Sequence, residues 1–198
     1  MFEVRFHGRG GQGAVTAAEL LALAAFDEGL QAQAFPSFGS ERMGAPVAAF
    51  CRIDETPIRR REPVAAPDAV VIQDPTLLHH VEVFGGLAAE GYVLINTSRS
   101  VRELGLGELL ERHTHNRVLT LPAGELARAR LGRPIPNAAL LGALVALTGL
   151  VSLSSLERAI RERFSGSAGE ANVLAARDAQ LLASTRLVRG GLGVGGGG

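Results

Sequence analysis

The chain has 198 residues, 46% of them hydrophobic, with twenty basic side chains balancing twenty acidic ones. That length and apolar content suit one folded domain and exclude a disordered chain. Zero net charge gives no general reason to expect a nucleic acid or an anionic membrane surface as partner. Every basic residue is arginine. The absence of lysine excludes a Schiff-base lysine and a P-loop lysine. The lone cysteine, Cys51, can neither form an internal disulfide nor hold an iron–sulfur cluster, which needs about four cysteine ligands. The pattern fits a reduced, cytoplasmic setting. No apolar signal segment is expected at the N-terminus. The longest apolar run, Ala138 to Val151, is shorter than the roughly 20 residues that span a bilayer and reads as a buried helix.

In chain order, Phe2 to Phe6 reads as a strand. Four glycines (Gly8, Gly10, Gly11 and Gly13) follow within six residues, and then a helix from about Gly11 to Asp27. Val15, Ala18, Ala22, Ala25 and Phe26 share one helical face, and Gly29 stops the helix. Gln31 to Phe35 is a second strand. The loop Pro36–Pro46 precedes a third strand over Val47–Ile53. Ala69 to Gln73 reads as a strand, apolar through Ile72, the pattern of a strand buried on both faces of a parallel sheet. A helix is expected over Thr76–Glu90, a strand over Tyr92–Ile95, a helix opening at Ser100 or Glu103, and a strand over Val118–Leu121. Helices then dominate: 124–131, 137–148, 152–164 and 168–187. Strands alternating with helices define an α/β fold, Rossmann-like, with a mainly parallel sheet flanked by helices and a helical C-terminal portion. Residues 1–188 form one domain; the Gly-rich stretch 189–198 reads as a flexible tail.

Gly8, Gly10 and Gly13 satisfy G-x-G-x-x-G, with a strand before the motif and a helix after it. Glycine permits a tight turn and close approach to a phosphate, while the helix N-terminus offers unpaired N–H groups and a positive dipole end. Arg9 adds a charged donor. The plainer alternative is a tight strand-to-helix turn without a ligand. A nicotinamide site is disfavoured: a dinucleotide fold wants an acid at the end of the second strand. Asp27 and Glu28 fall before that strand, and Ala34-Phe35-Pro36 ends it without a carboxylate.

The second dense stretch is PSFGSERMGAP. Ser37, Gly39, Ser40, Glu41, Arg42 and Gly44 gather hydroxyls, a carboxylate, a guanidinium and flexible joints at the same sheet end as the glycine run. Such groups suit anion recognition; an ordinary turn with a surface Glu41–Arg42 pair is the alternative. Asn96, after the fifth strand, reads either as a ligand contact or as a helix cap. His7 reads either as a ligand contact or as packing beneath the loop. His79, His80, His113 and His115 read as solvated residues near helix ends, without metal-ligand spacing. Asp74-Pro75 reads as a strand-ending turn and Cys51 as a buried small hydrophobe. No catalytic residue and no metal ligand stands out.

HGRGGQGAVTA followed by SFGSERMGAPV, with PNAALLGAL at Pro136–Leu144, resembles the gamma subunit of the 2-oxoacid:ferredoxin oxidoreductases, the family of pyruvate:ferredoxin oxidoreductase. The resemblance covers roughly Phe2 to Leu187. It departs at Met43, where similar sequences often carry a second arginine. It implies a complex that decarboxylates a 2-oxoacid oxidatively, transfers the acyl group to coenzyme A and passes two electrons to ferredoxin. Alpha, beta and delta-type partner subunits would carry thiamine diphosphate, magnesium and the 4Fe-4S clusters. This chain would serve the coenzyme A side through Gly8, Arg9, Gly10, Gly11, Gln12, Gly13, the 37–44 loop and Asn96. Two rivals are a purely structural assembly subunit and an independent NAD(P)-dependent oxidoreductase.

Overall fold

A computed structural model describes residues 1–37, 43–113 and 115–192. Strand β1 (Phe2–Arg9) leads through the glycine run into helix α1 (Ala14–Asp27). Strands β2 (Gln31–Pro36) and β3 (Pro46–Asp54) follow, then β4 (Ala69–Ile72), β5 (Tyr92–Asn96) and β6 (Val118–Leu121). The helices after β5 are α2 (Gly107–Arg112), α3 (Ala123–Leu131), α4 (Asn137–Thr148), α5 (Leu153–Arg163) and α6 (Gly166–Leu192). The six strands lie in the order β2-β3-β1-β4-β5-β6. Three pairings are parallel (β1–β4, β4–β5, β5–β6), while β3 runs against both β1 and β2. The sheet is therefore mainly parallel, as the apolar strands AVVI and YVLI imply.

Successive strand residues face opposite sides of the sheet, and the core divides accordingly. Val4, Phe6, Ala69, Val71 and Leu94 face one cluster, built with α1, α4, α5 and α6. Val70, Ile72, Val93, Ile95 and Val118 face a smaller one, closed by Leu77, Val83, Val101 and the leucines of α2. The helical cover is thus heavy on one face and thin on the other. Helix α4 carries no polar stripe because it is buried nearly all round, between the sheet and α6. Its Gly142 lets α6 approach so closely that a Cβ there would sit 2.1 Å from the Ala176 carbonyl oxygen.

Three sequence expectations need correction. Helix α1 begins at Ala14, three residues late, because Gly11 and Gly13 hold φ of +91° and +79°, which end the loop in a left-handed turn. No helix spans 76–90: a 3₁₀ turn occupies Pro75–His79 and irregular chain follows. There Gly86 (φ +70°) presses against the Ala65 carbonyl, and the Val83 and Gly85 carbonyls accept from the buried Arg5 guanidinium at 3.1 and 2.6 Å instead of from a helix. The capping pair Ser100–Glu103 does form, both bonds to Glu103 Oε2 being 2.7 Å. However, Gly105 at φ +76° ends that turn, and the helix starts at Gly107.

Candidate functional site

The carboxyl edge of the sheet brings the glycine run and the end of the second loop into direct contact. Gly10 N–H donates to Ala45 O at 2.9 Å, and Gly44 N–H donates to Gly10 O at 3.1 Å. Met43 pairs with Gly10 as an isolated bridge. It is 88% exposed, and its sulfur lies over Gly11. Ser37 N–H donates to Ala48 O at 2.8 Å, continuing the β2–β3 ladder past Pro36. Gly39, Ser40, Glu41 and Arg42 lie outside the described residues. The two motifs are therefore neighbours, as their places at one sheet end imply.

Arg9 is the knot of this edge. Its Nε donates to Asp74 Oδ2 at 3.1 Å, its Nη1 to Gly44 O at 3.1 Å and its Nη2 to Thr76 Oγ1 at 2.7 Å. Gln12 works from the other side: its Oε1 accepts from Arg9 N at 2.7 Å, and its Nε2 donates to Asp74 Oδ2 at 2.9 Å. Asp74 also holds the Thr76 N–H (3.0 Å) and hydroxyl (2.6 Å) on its other oxygen. Partial burial opposes ionisation of Asp74, yet the Thr76 and Gln12 bonds and the Arg9 charge outweigh it and hold the carboxyl below its ordinary range. The strand-ending turn at Asp74 is thus also the acidic anchor of the glycine run. Its place after a central strand at the sheet's carboxyl edge is the signal that could have marked it.

Beneath the run lie groups without solvent. His7 is buried; its Nε2 accepts from Arg5 Nε at 3.0 Å, and the ring is hydrogen-bonded to the Val83 backbone. Burial first, then the Arg5 charge, push its pKa down to about 4, against the opposing effect of the Val83 bond. Gln73 is 1% exposed, and neither atom of its amide has a hydrogen-bond partner. Its Oε1 stands 2.7 Å from where a Cβ on Gly8 would be, so any side chain at position 8 would have to displace the Gln73 amide. Asn96 donates through Nδ2 to Gln73 O at 2.8 Å and accepts Gly124 N–H at 3.0 Å. It joins β4 and β5 and caps α3, the helix after β6.

A cleft opens beside the glycine run. Its volume is about 620 Å³; its walls include Gly11, Gly13 and Thr16 of the α1 entry, Arg133, Asn137 at the start of α4, and Asn172 on α6. Neither Ser37 nor Gly44 lines it. Sequence reading passed over Arg133, Asn137 and Asn172; only the helix start at Pro136-Asn137 hinted at them. His113, expected to be solvated, is buried with Nδ1 unpartnered, beside a small apolar hollow formed with Phe84 and Leu87. Cys51 is wholly buried, and burial pushes its thiol pKa up, away from reactivity. Among the described residues, no group of three or more His, Cys, Asp or Glu could hold a metal ion. No described helix is long and apolar enough to cross a membrane.

A glycine-rich first turn on a mainly parallel sheet, joined to the end of a second loop at the carboxyl edge, defines an α/β domain of the Rossmann-like class. Comparison with known proteins makes the assignment particular. Residues 3–181 match the family model described as pyruvate ferredoxin/flavodoxin oxidoreductase, and the chain belongs to that family. It is 53% identical over 179 residues to the pyruvate/ketoisovalerate oxidoreductases common subunit gamma of Pyrococcus abyssi, covering 90% of this chain and 95% of that one. It is 51% identical over 177 residues to the pyruvate synthase subunit PorC of Methanothermobacter thermautotrophicus (89% and 93% covered). The crystal structure of the pyruvate oxidoreductase subunit PORC from Thermotoga maritima superposes with a TM-score of 0.76 at 37% identity, over 91% of this chain and 95% of that one.

Proposed function

We propose that this chain is the gamma subunit of a 2-oxoacid:ferredoxin oxidoreductase and forms part of its coenzyme A site. The overall reaction joins a 2-oxoacid and coenzyme A to give acyl-CoA, carbon dioxide and a proton, with two electrons passed to ferredoxin. Thiamine diphosphate, magnesium and iron–sulfur clusters belong to sister subunits of alpha, beta and delta type. The observation that carries the reading is the hydrogen-bonded junction of Gly10 with Gly44 and Ala45, which places the glycine run against the second loop. Phosphates of coenzyme A meet the backbone of the run and the N-terminus of α1, which has no side-chain cap and no acid in its first turn. Gly8, Gly10, Gly11 and Gly13 give the run its shape and its close approach. Arg9 and Gln12 fix it to Asp74, and Gly44, at the end of the second loop, meets it through Gly10 and Arg9. Asn96 supports the floor through Gln73.

The test is steady-state kinetics on the complex reconstituted with its sister subunits. Arg9→Ala breaks the link to Gly44 and removes a charge from the site. It raises the apparent KM for coenzyme A about tenfold, the worth of one charge-assisted hydrogen bond, and leaves the KM for the 2-oxoacid in place. An unchanged KM for coenzyme A defeats this role. NADH binding by the isolated chain would favour the nucleotide-dependent oxidoreductase instead.

A further inference from the structure

The chain carries one cysteine and two methionines, and the fold treats their sulfur atoms differently. Cys51 is wholly buried in β3. Met1 is half-exposed at the start of β1, where its amine pairs with Asp54 at 3.4 Å. Met43 is 88% exposed, more than any other large apolar side chain among the described residues. Oxidation of a thioether follows access to it. Met43 is therefore the sulfur that an oxidant in water meets first.

The place of Met43 gives that exposure a consequence. Its backbone forms an isolated bridge with Gly10. The next residue, Gly44, donates to Gly10 O at 3.1 Å and accepts from Arg9 Nη1 at 3.1 Å. The side chain folds back over the glycine run: a Cβ on Gly11 would stand 2.7 Å from Sδ and 3.6 Å from Cε. One flank of the thioether thus touches Gly11, and the rest is open to water. The contact is apolar, between a sulfur atom and a residue without a side chain.

We propose that Met43 is a site of reversible oxidation by hydroperoxides, through which the junction of the glycine run and the second loop responds to oxidant. A lone pair on Sδ attacks one oxygen of hydrogen peroxide; the S–O bond forms as the O–O bond breaks. The departing hydroxide takes the proton of the transferred oxygen and leaves as water. Sulfur has lost two electrons to the peroxide and is now a sulfoxide. A polar, hydrated group stands where an apolar one stood. It draws the side chain off Gly11 toward water, and the junction at Gly10 loses its apolar contact. An anion held at the run would also face the negative end of the S–O dipole. That last effect rests on the coenzyme A reading above; the oxidation and the loosened junction do not.

The experiment treats the purified full chain with hydrogen peroxide, removes the peroxide and divides the sample. Peptide mass spectrometry is expected to find one oxygen atom added at Met43, ahead of Met1, and none at Cys51. Amide hydrogen exchange at Gly10 and Gly44 should quicken severalfold, and methionine sulfoxide reductase should reverse the change. In the complex rebuilt with untreated sister subunits, the KM for coenzyme A should rise about fivefold, the scale of one lost apolar contact. Met43→Leu, whatever its own KM, should show no response to peroxide in either readout. Met43 left unoxidised, or oxidised with unchanged amide exchange, overturns the proposal. So does a Met43→Leu chain that responds as the wild type does. If Arg9→Ala raises the KM for coenzyme A in those cases, the coenzyme A reading stands without this site. If exchange quickens while neither oxidation nor Arg9→Ala moves that KM, the oxidation site stands without that reading.

Discussion

Asp74 accepts the Arg9 Nε hydrogen at 3.1 Å, and this pair ties the glycine run to the end of β4. The pair is only partly exposed and shares its carboxylate oxygen with Gln12 Nε2. Asp74→Asn keeps the shape and places an amide N–H₂ against two donors. With one oxygen left for two clusters of donors, a cost of about 1–3 kcal/mol is expected. Urea denaturation of the purified chain measures it. The same variant loosens the run, so the complex should also show a raised KM for coenzyme A. A variant with native stability and native kinetics would show that the pair organises nothing.

His7 sets a pH dependence with a definite sign. Its folded pKa, about 4, lies below the ordinary histidine value of 6.5. The unfolded chain therefore binds the proton first as pH falls, and folding stability declines between about pH 6.5 and pH 4. The span corresponds to roughly 3 kcal/mol. The depressed carboxylates Asp74 and Glu157 act in the same direction but lower: their contribution is present above the unfolded carboxylate range and is lost as pH falls through their folded values. Thermal melts of wild type and His7→Gln from pH 7 to pH 4.5 separate the two effects. The variant should show a flatter profile over that window; parallel profiles would remove His7 as the source.

The strands of this fold were legible because apolar runs such as AVVI and YVLI have no other stable use than burial on both faces of a sheet. The glycine run was legible because its spacing sits between a strand and a helix, and both are present. The segment 76–90 misled because its composition suits a helix, while its backbone carbonyls are claimed by Arg5, a residue about eighty positions away. No local pattern records that demand. The same reason hid Arg133, Asn137 and Asn172: each is unremarkable in its own helix or connection, and only the packing of α1, α4 and α6 brings them around one cleft. The antiparallel course of β3 also left no mark in its own sequence, though the short 37–45 connection between β2 and β3 is what an antiparallel neighbour needs.

Gln73 should be better tolerated as an apolar residue than as itself. Both atoms of its amide are buried without partners under Gly8, and each such group costs about 1–3 kcal/mol. Gln73→Met keeps the length and removes both. A gain of about 1 kcal/mol, or roughly 2–4 °C in melting temperature for a chain of this size, is expected. If activity of the complex falls while stability rises, the amide is retained for a partner present only in the working enzyme. A loss of stability would mean that the amide is satisfied in solution by an internal water.

Gly142 tests the packing that carries the cleft. A methyl group there meets the Ala176 carbonyl oxygen at 2.1 Å and its carbon at 2.7 Å. Both atoms are backbone, so no side chain can swing aside. In an isolated helix, glycine to alanine stabilises by about 1 kcal/mol; here α6 must move off α4, and the loss should exceed about 3 kcal/mol. Gly107→Ala is the control, since nothing lies within 4 Å of a Cβ there, and its effect should stay within about 0.5 kcal/mol. Urea denaturation of the two variants measures the difference, and a Gly142→Ala protein as stable as the Gly107→Ala control would show that α4 and α6 can separate without cost.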